Sequence, residues 1–120
     1  MKLRLLEPAF AVCKIPGPAD ADLSSPHTFL SVTEDEVSLV CEAGRVPARA
    51  TAVERDFRCL KVEGPLDFSM VGVIAGISSI LAEHGVSLFV ISTYDTDYIL
   101  LKADALDRAI RILSEKGYSL

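Results

Sequence analysis

Residues 57–102 read FRCLKVEGPLDFSMVGVIAGISSILAEHGVSLFVISTYDTDYILLK, and the order of patterns within them decides the fold class. The opening FRCLKVE sets Phe57, Cys59, Leu60 and Val62 among polar neighbours, a strand pattern that Gly64-Pro65 ends. Asp67 follows, and its carboxylate suits the free N–H groups at the start of a helix. Val73, Ile74, Ile77, Ile80 and Leu81 then recur at helical spacing, and Gly85 is a left-handed stop. Residues 86–93, VSLFVIST, form a continuous apolar run, which predicts a strand central in a sheet. Tyr94-Asp95 is a turn, and residues 96–102, TDYILLK, return as the hairpin partner. Beyond them Asp104 caps a second predicted helix with Leu106, Ala109, Ile110 and Leu113 on one stripe, stopped at Gly117. Residues 118–120 add a last short strand.

Working back from that stretch, the first half shows the same order in abbreviated form. Residues 10–15, FAVCKI, are a short apolar run that stops at Pro16-Gly17-Pro18. ADADLSSPH is polar and has room for about one helical turn. Residues 28–33 and 36–42 read as strands from their β-branched and aromatic content, and the short Glu34-Asp35 link predicts a hairpin. Gly44 and Pro47 limit any helix in residues 43–56 to a short one. Both halves therefore follow β-α-β-β-α-β, the split β-α-β or ferredoxin-like order, with helices on one face of an antiparallel sheet. The expected fold is α+β, an internal repeat of two units over residues 1–55 and 56–120.

Composition limits what such a chain does. Its 120 residues carry 12 Lys and Arg against 17 Asp and Glu, a net charge of −5, with the cations scattered singly. Phosphate binding through counterion release needs clustered cations, so nucleic acid is excluded as a partner. Half of the residues are hydrophobic, enough for a packed core. Cys13, Cys41 and Cys59 are odd in number, widely spaced and flanked by apolar residues, which predicts buried reduced thiols and a cytoplasmic location. No CxxC pair exists, so no closed zinc site is expected. The N-terminal MKLRLLEPAFAV lacks a secretory apolar core, and the nearly uncharged residues 68–82 are shorter than the roughly 20 that span a bilayer. No membrane partner is expected.

His84 beside Gly85 suits the end of a helix, and His27 follows Pro26 in a loop; neither sits in a GxSxG-type setting. Asp95, Asp97 and Asp104 are too sparse for a calcium loop. Gly72 and Gly76 fall inside the predicted helix, not between a strand and a helix, so no dinucleotide or P-loop cofactor is expected. Each costs about 1 kcal/mol against Ala there. Close packing explains them; alternatively, Gly72 leaves room for a ligand beside free backbone N–H groups, which suit a carboxylate. Residues 92–96 would then supply a carboxylate and hydroxyls for an ammonium group. An anion site and a cation site within reach describe an amino-acid pocket.

Three pieces carry a family resemblance: residues 64–69 (GPLDFS), residues 81–87 (LAEHGVS) and residues 92–100 (STYDTDYIL). Residues 57–120 resemble an ACT domain, and the chain resembles the small tandem-ACT proteins of bacteria, whose relatives include the cytosolic arginine sensors of animals. Over residues 1–55 the likeness rests on element order. The resemblance implies tandem βαββαβ ACT units, side-by-side pairing of units and allosteric binding of amino acids at their interfaces. It points to Asp67, Met70, Val71, Gly72, Val73 and Ile74 at the loop and first helical turn, to Leu88 and Phe89 on the next strand, and to Tyr94, Asp95 and Thr96 at the hairpin. Met70 and Val71 are apolar where family members often hold a ligand with polar groups, so an apolar ligand side chain fits better than a charged one.

The expected function is a non-catalytic, amino-acid-responsive regulatory protein, a homodimer with a free amino acid as ligand, no cofactor, and an unidentified partner protein to carry its output. The alternatives are a ligand-free assembly module and a small enzyme using Asp95, Asp97 or His84.

Overall fold

The computed structural model describes residues 1–64 and 72–120. In chain order the strands are β1 (Leu3–Leu5), β2 (Phe10–Lys14), β3 (Phe29–Val32), β4 (Val37–Glu42), β5 (Ala52–Val62), β6 (Phe89–Ser92) and β7 (Asp97–Lys102); the helices are α1 (Val73–Glu83) and α2 (Leu106–Glu115). The fold is mixed α+β with antiparallel strand pairing. The chain divides into two compact units, Pro8–Phe57 and a discontinuous one made of Met1–Glu7 with Arg58–Leu120. The expected boundary between residues 55 and 56 lies two residues before this division, and residues 1–7 belong to the second unit.

In the unit Pro8–Phe57 the strand order is β3-β4-β2-β5, the last contributed by the first half of that strand. Cys13, Ile15, Leu39 and Cys41 pack on one face with Ala21, Leu30, Val37, Val46 and Ala50. The expected short helices are single 3-10 turns, Pro18–Asp20 and Ala43–Arg45. Pro47 disfavours helical backbone at Val46, which is extended and ends the turn Ala43–Arg45. The β2–β5 ladder shifts register between Phe10 and Val12, and Asp56 beside the shift has φ +67°, a left-handed conformation that Asp tolerates better than most residues.

In the discontinuous unit β1 pairs with β5, β5 lies beside β7, and β7 pairs with β6. Leu3 stands opposite Val62 and Leu5 opposite Leu60. The expected C-terminal strand is reduced to one parallel bridge between Lys2 and Ser119, with Leu3 N–H donating to the Ser119 carbonyl at 2.7 Å. Strand β1, from the opposite end of the chain, takes the place beside β5. Leu3, Leu60, Val62, Ile99 and Leu101 from the strands share one buried cluster with Ile77 and Leu81 of α1 and Leu106, Ala109 and Leu113 of α2, so both helices cover the same sheet face.

Three sequence expectations are corrected here. Strand β6 is an edge, not a central strand; β7 is its neighbour, and Phe89 is 38% exposed. Helix α1 is capped by Gly72 in the left-handed region (φ +81°), so Gly72 precedes the helix; Asp67 lies outside the described residues and six positions before the first helical residue. Asp104 sits within a 3-10 turn, Ala103–Ala105, and α2 begins after it with no side-chain cap.

Elements recur sixty residues apart: Phe29 of β3 against Phe89 of β6, Val37 of β4 against Asp97 of β7, and the 3-10 turn at Ala43 against that at Ala103. The hairpin turns match as well. Thr33 N–H donates to the Glu36 carbonyl at 3.0 Å, and Thr93 N–H to the Thr96 carbonyl at 2.8 Å.

Candidate functional site

A threonine at the first turn position of the β6–β7 hairpin uses both of its polar groups to close the turn, since its hydroxyl also reaches the Thr96 carbonyl at 3.1 Å. Thr96 is 6% exposed and donates its own hydroxyl to the Val62 carbonyl at 2.5 Å. That bond ties the turn to the end of β5, from which Glu63 and Gly64 lead toward α1. Ser92 donates to the Asp97 carboxylate at 2.5 Å, which fixes the strand ends. Tyr94, 79% exposed, and Asp95, exposed, stand at the tip.

At the start of α1, Gly72 is exposed and a Cβ there would meet nothing within 4 Å. Gly72, the N-cap residue, has no side chain with which to cap the first turn of α1. N–H groups at a helix start favour an oxygen partner, most of all an anion. Val73, Ile74 and Leu88 pack half-buried against the helix-covered core. Leu88 and Phe89 stand at the other end of β6 from the hairpin. Phe89 pairs with Leu100 and Ser92 with Asp97, and at about 3.4 Å per residue the two ends lie roughly 10 Å apart. The structure thus joins Thr96 to the β5 end and keeps Leu88 and Phe89 apart from them. Met70 and Val71, like Asp67, lie outside the described residues.

Leu88 instead lines an open groove of about 580 Å³ with Ser78, Ser79, Ala82, Gly85, Val86 and Ser87. Sequence reasoning missed this concavity. Its signal is the absence of charge along α1 before Glu83, in contrast to the charged outer face of α2. His84 holds the nearby helix end, its Nδ1 2.9 Å from the Ile80 carbonyl oxygen, and Arg108 donates to the His84 carbonyl at 2.9 Å. This is the capping role read from sequence.

The thiols offer no nucleophile at neutral pH. Burial pushes Cys59 up to about 12 and Cys41 up to about 11, and it raises Cys13 as well. All three are free and buried. Among the described residues no group of three His, Cys, Asp or Glu side chains is placed to hold a metal ion, and no helix is long and apolar enough to cross a membrane.

Residues 52–115 match the ACT domain. The chain belongs to the ACT-domain family. The ACT match opens on the first residue of β5 and closes on the last of α2. A structural-genomics protein from Agobacterium tumefaciens is 30% identical with a TM-score of 0.87, covering 99% of this chain and 90% of that one. A protein of unknown function from Vibrio cholerae, titled a possible transport protein, is 23% identical with a TM-score of 0.73 over 92% of this chain and 85% of that one. The regulatory subunit of aspartate kinase from Thermus thermophilus, in ligand-free form, shares the fold at 11% identity, with a TM-score of 0.62 over 96% of this chain and 97% of that one. No functionally curated protein matches the ACT chain significantly.

Proposed function

We propose that this chain is a non-catalytic regulatory protein that binds a free amino acid through its ACT units and passes the signal to a partner protein. The observation that carries the reading is the ACT match over residues 52–115, in which the hairpin turn is tied to the end of β5 and α1 starts without a side-chain cap. The ligand carboxylate binds at the α1 N-terminus, where the first-turn N–H groups and the positive end of the helix dipole favour an anion. Its ammonium group is held by Asp95. Thr96, whose hydroxyl proton is committed to Val62, fixes the turn that presents Asp95.

The strand orders support a tandem arrangement of βαββαβ units. Each unit follows the ferredoxin-like order, with β1 filling the last-strand place in one of them and 3-10 turns replacing the helices in the other. Two such units per chain, paired in a homodimer, give interfaces whose packing a ligand biases by binding one arrangement better than another. The free buried thiols fit a reducing, cytoplasmic setting.

The test is a thermal-shift screen of the twenty amino acids. A ligand at 100 times its Kd adds about 2.7 kcal/mol of stability, and Asp95→Ala removes the shift. If no amino acid raises the melting temperature at millimolar concentration, the ligand-binding reading fails. The exposed Phe89 on edge strand β6 favours a second reading, a module whose edge pairs with another chain and which binds no small molecule.

A further inference from the structure

Lys14 of β2 stands opposite Ser38 of β4 and Ala52 of β5. Its counterpart in the other unit is Lys61 of β5, opposite Arg4 of β1, with its ammonium 6.0 Å from the centre of the Tyr98 ring. The sixty-residue offset between β4 and β7 puts Ser38 in the place of Tyr98. One unit therefore has a ring and a guanidinium beside its lysine, where the other has a hydroxymethyl and a methyl group.

The difference leaves a cavity of about 230 Å³ whose lining includes Val12, Lys14, Glu36, Ser38, Ala52 and Glu54. By the two-residue alternation of strands, Val12, Lys14, Ser38, Ala52 and Glu54 share a face, opposite the one on which Cys13, Leu39 and Cys41 pack. Most of the lining thus belongs to the sheet face turned away from that apolar cluster, with Cys13 and Val53 completing it.

We propose that this cavity is a binding site for a small phenol, whose ring occupies the space that Tyr98 fills in the other unit. Val12 and the Ala52 methyl contact its edge, and the Lys14 ammonium faces its π-cloud. Its hydroxyl donates to the carboxylate of Glu36 or Glu54, a charge-assisted bond. The two glutamates outweigh Lys14 in charge and disfavour an anionic ligand, and an aliphatic alcohol has no π-face for the ammonium. A neutral aromatic donor offers a π-face to the lysine and a hydroxyl to a carboxylate. This site lies in Pro8–Phe57 and is separate from the amino-acid site proposed at α1 and Asp95.

The probe is p-cresol, the tyrosine side chain as a free molecule, titrated into the full chain while backbone amide resonances are followed. Saturable shifts at Lys14, Ser38, Ala52 and Glu54 at millimolar concentration are the expected result. Ser38→Tyr fills the cavity and abolishes them, and Lys14→Gln raises the Kd about threefold, the loss of an exposed cation–π contact. Cyclohexanol, matched in size and hydroxyl but without a ring current, shifts these amides less. Shifts that do not saturate, that map elsewhere, or that persist in a folded Ser38→Tyr variant overturn the proposal. Ser38→Tyr leaves an amino-acid thermal shift that depends on Asp95 intact, so the two sites fail or stand separately.

Discussion

Thr96 donates its hydroxyl to the Val62 carbonyl, linking a hairpin turn to a strand 34 positions earlier in the chain. The bond is buried, so its loss strands a carbonyl away from water.

Thr96→Val keeps the shape and removes the donor, which costs about 1–3 kcal/mol because the Val62 carbonyl loses its partner. Thr96→Ser restores the donor and recovers most of the loss. Denaturant unfolding of the three proteins checks both statements; equal midpoints for Val and wild type would show that water replaces the bond.

Gly72 and Gly44 separate backbone strain from space. Neither has a heavy atom within 4 Å of a built Cβ, but Gly72 has φ +81°. Gly72→Ala costs about 1–2 kcal/mol through the left-handed conformation. Gly44→Ala, free of that strain, is neutral or stabilises by up to about 1 kcal/mol by restricting the unfolded chain. Melting temperatures in opposite order would remove the strain argument.

Gly76 lies inside α1, where a Cβ would sit 3.3 Å from the Tyr118 hydroxyl oxygen. Gly76→Ala gains about 1 kcal/mol in helix propensity and spends part of it against that oxygen. Tyr118→Phe removes the oxygen, so the Ala substitution stabilises more in that background. A double-mutant cycle measures the coupling, and a value of zero places the contact elsewhere.

Buried thiols predict an alkaline weakness. Cys59 and Cys41 titrate higher in the folded chain, at about 12 and about 11, than their ordinary value of 9.0. The unfolded chain releases these protons first, so stability is full below pH 9 and falls as pH rises toward the folded values. The slope approaches about 1.4 kcal/mol per pH unit for each thiol. Burial also raises Tyr98 and adds to the loss above pH 10. Chemical denaturation between pH 8 and 11 checks this; Cys59→Ala lowers the starting stability and flattens the slope. In the same folded protein at pH 8, a disulfide reagent modifies none of the three thiols until denaturant is added.

Local chemistry was legible wherever neighbours in sequence decide the structure. The two hairpins, the helix end at His84-Gly85, the buried thiols and the apolar stripe of α2 all rest on residues within one or two turns of each other. The start of α1 differs from the sequence reading because Asp67 offers a cap ahead of a largely apolar run, while the helix begins where Gly72 turns the backbone. β6 was misread because continuous apolar character suits an edge half-covered by helices as well as a centre. Of the candidate site, Tyr94 and Asp95 stand exposed at the turn the sequence places there, whereas the buried hydroxyl bond of Thr96 has no local signature.

By itself, the sequence determined most element types and the mixed α+β class, because periodicity and turn chemistry are local properties. Tertiary structure decided which strand lies beside which. Residues 3–5 pair with β5 because ladder partners are chosen by the burial of a whole face, and a run as short as Leu-Arg-Leu carries no record of a partner 55 or more positions away. The same holds for the cavity over Lys14. Ser38 and Ala52 are unremarkable until strand pairing sets them side by side, where their small size becomes space.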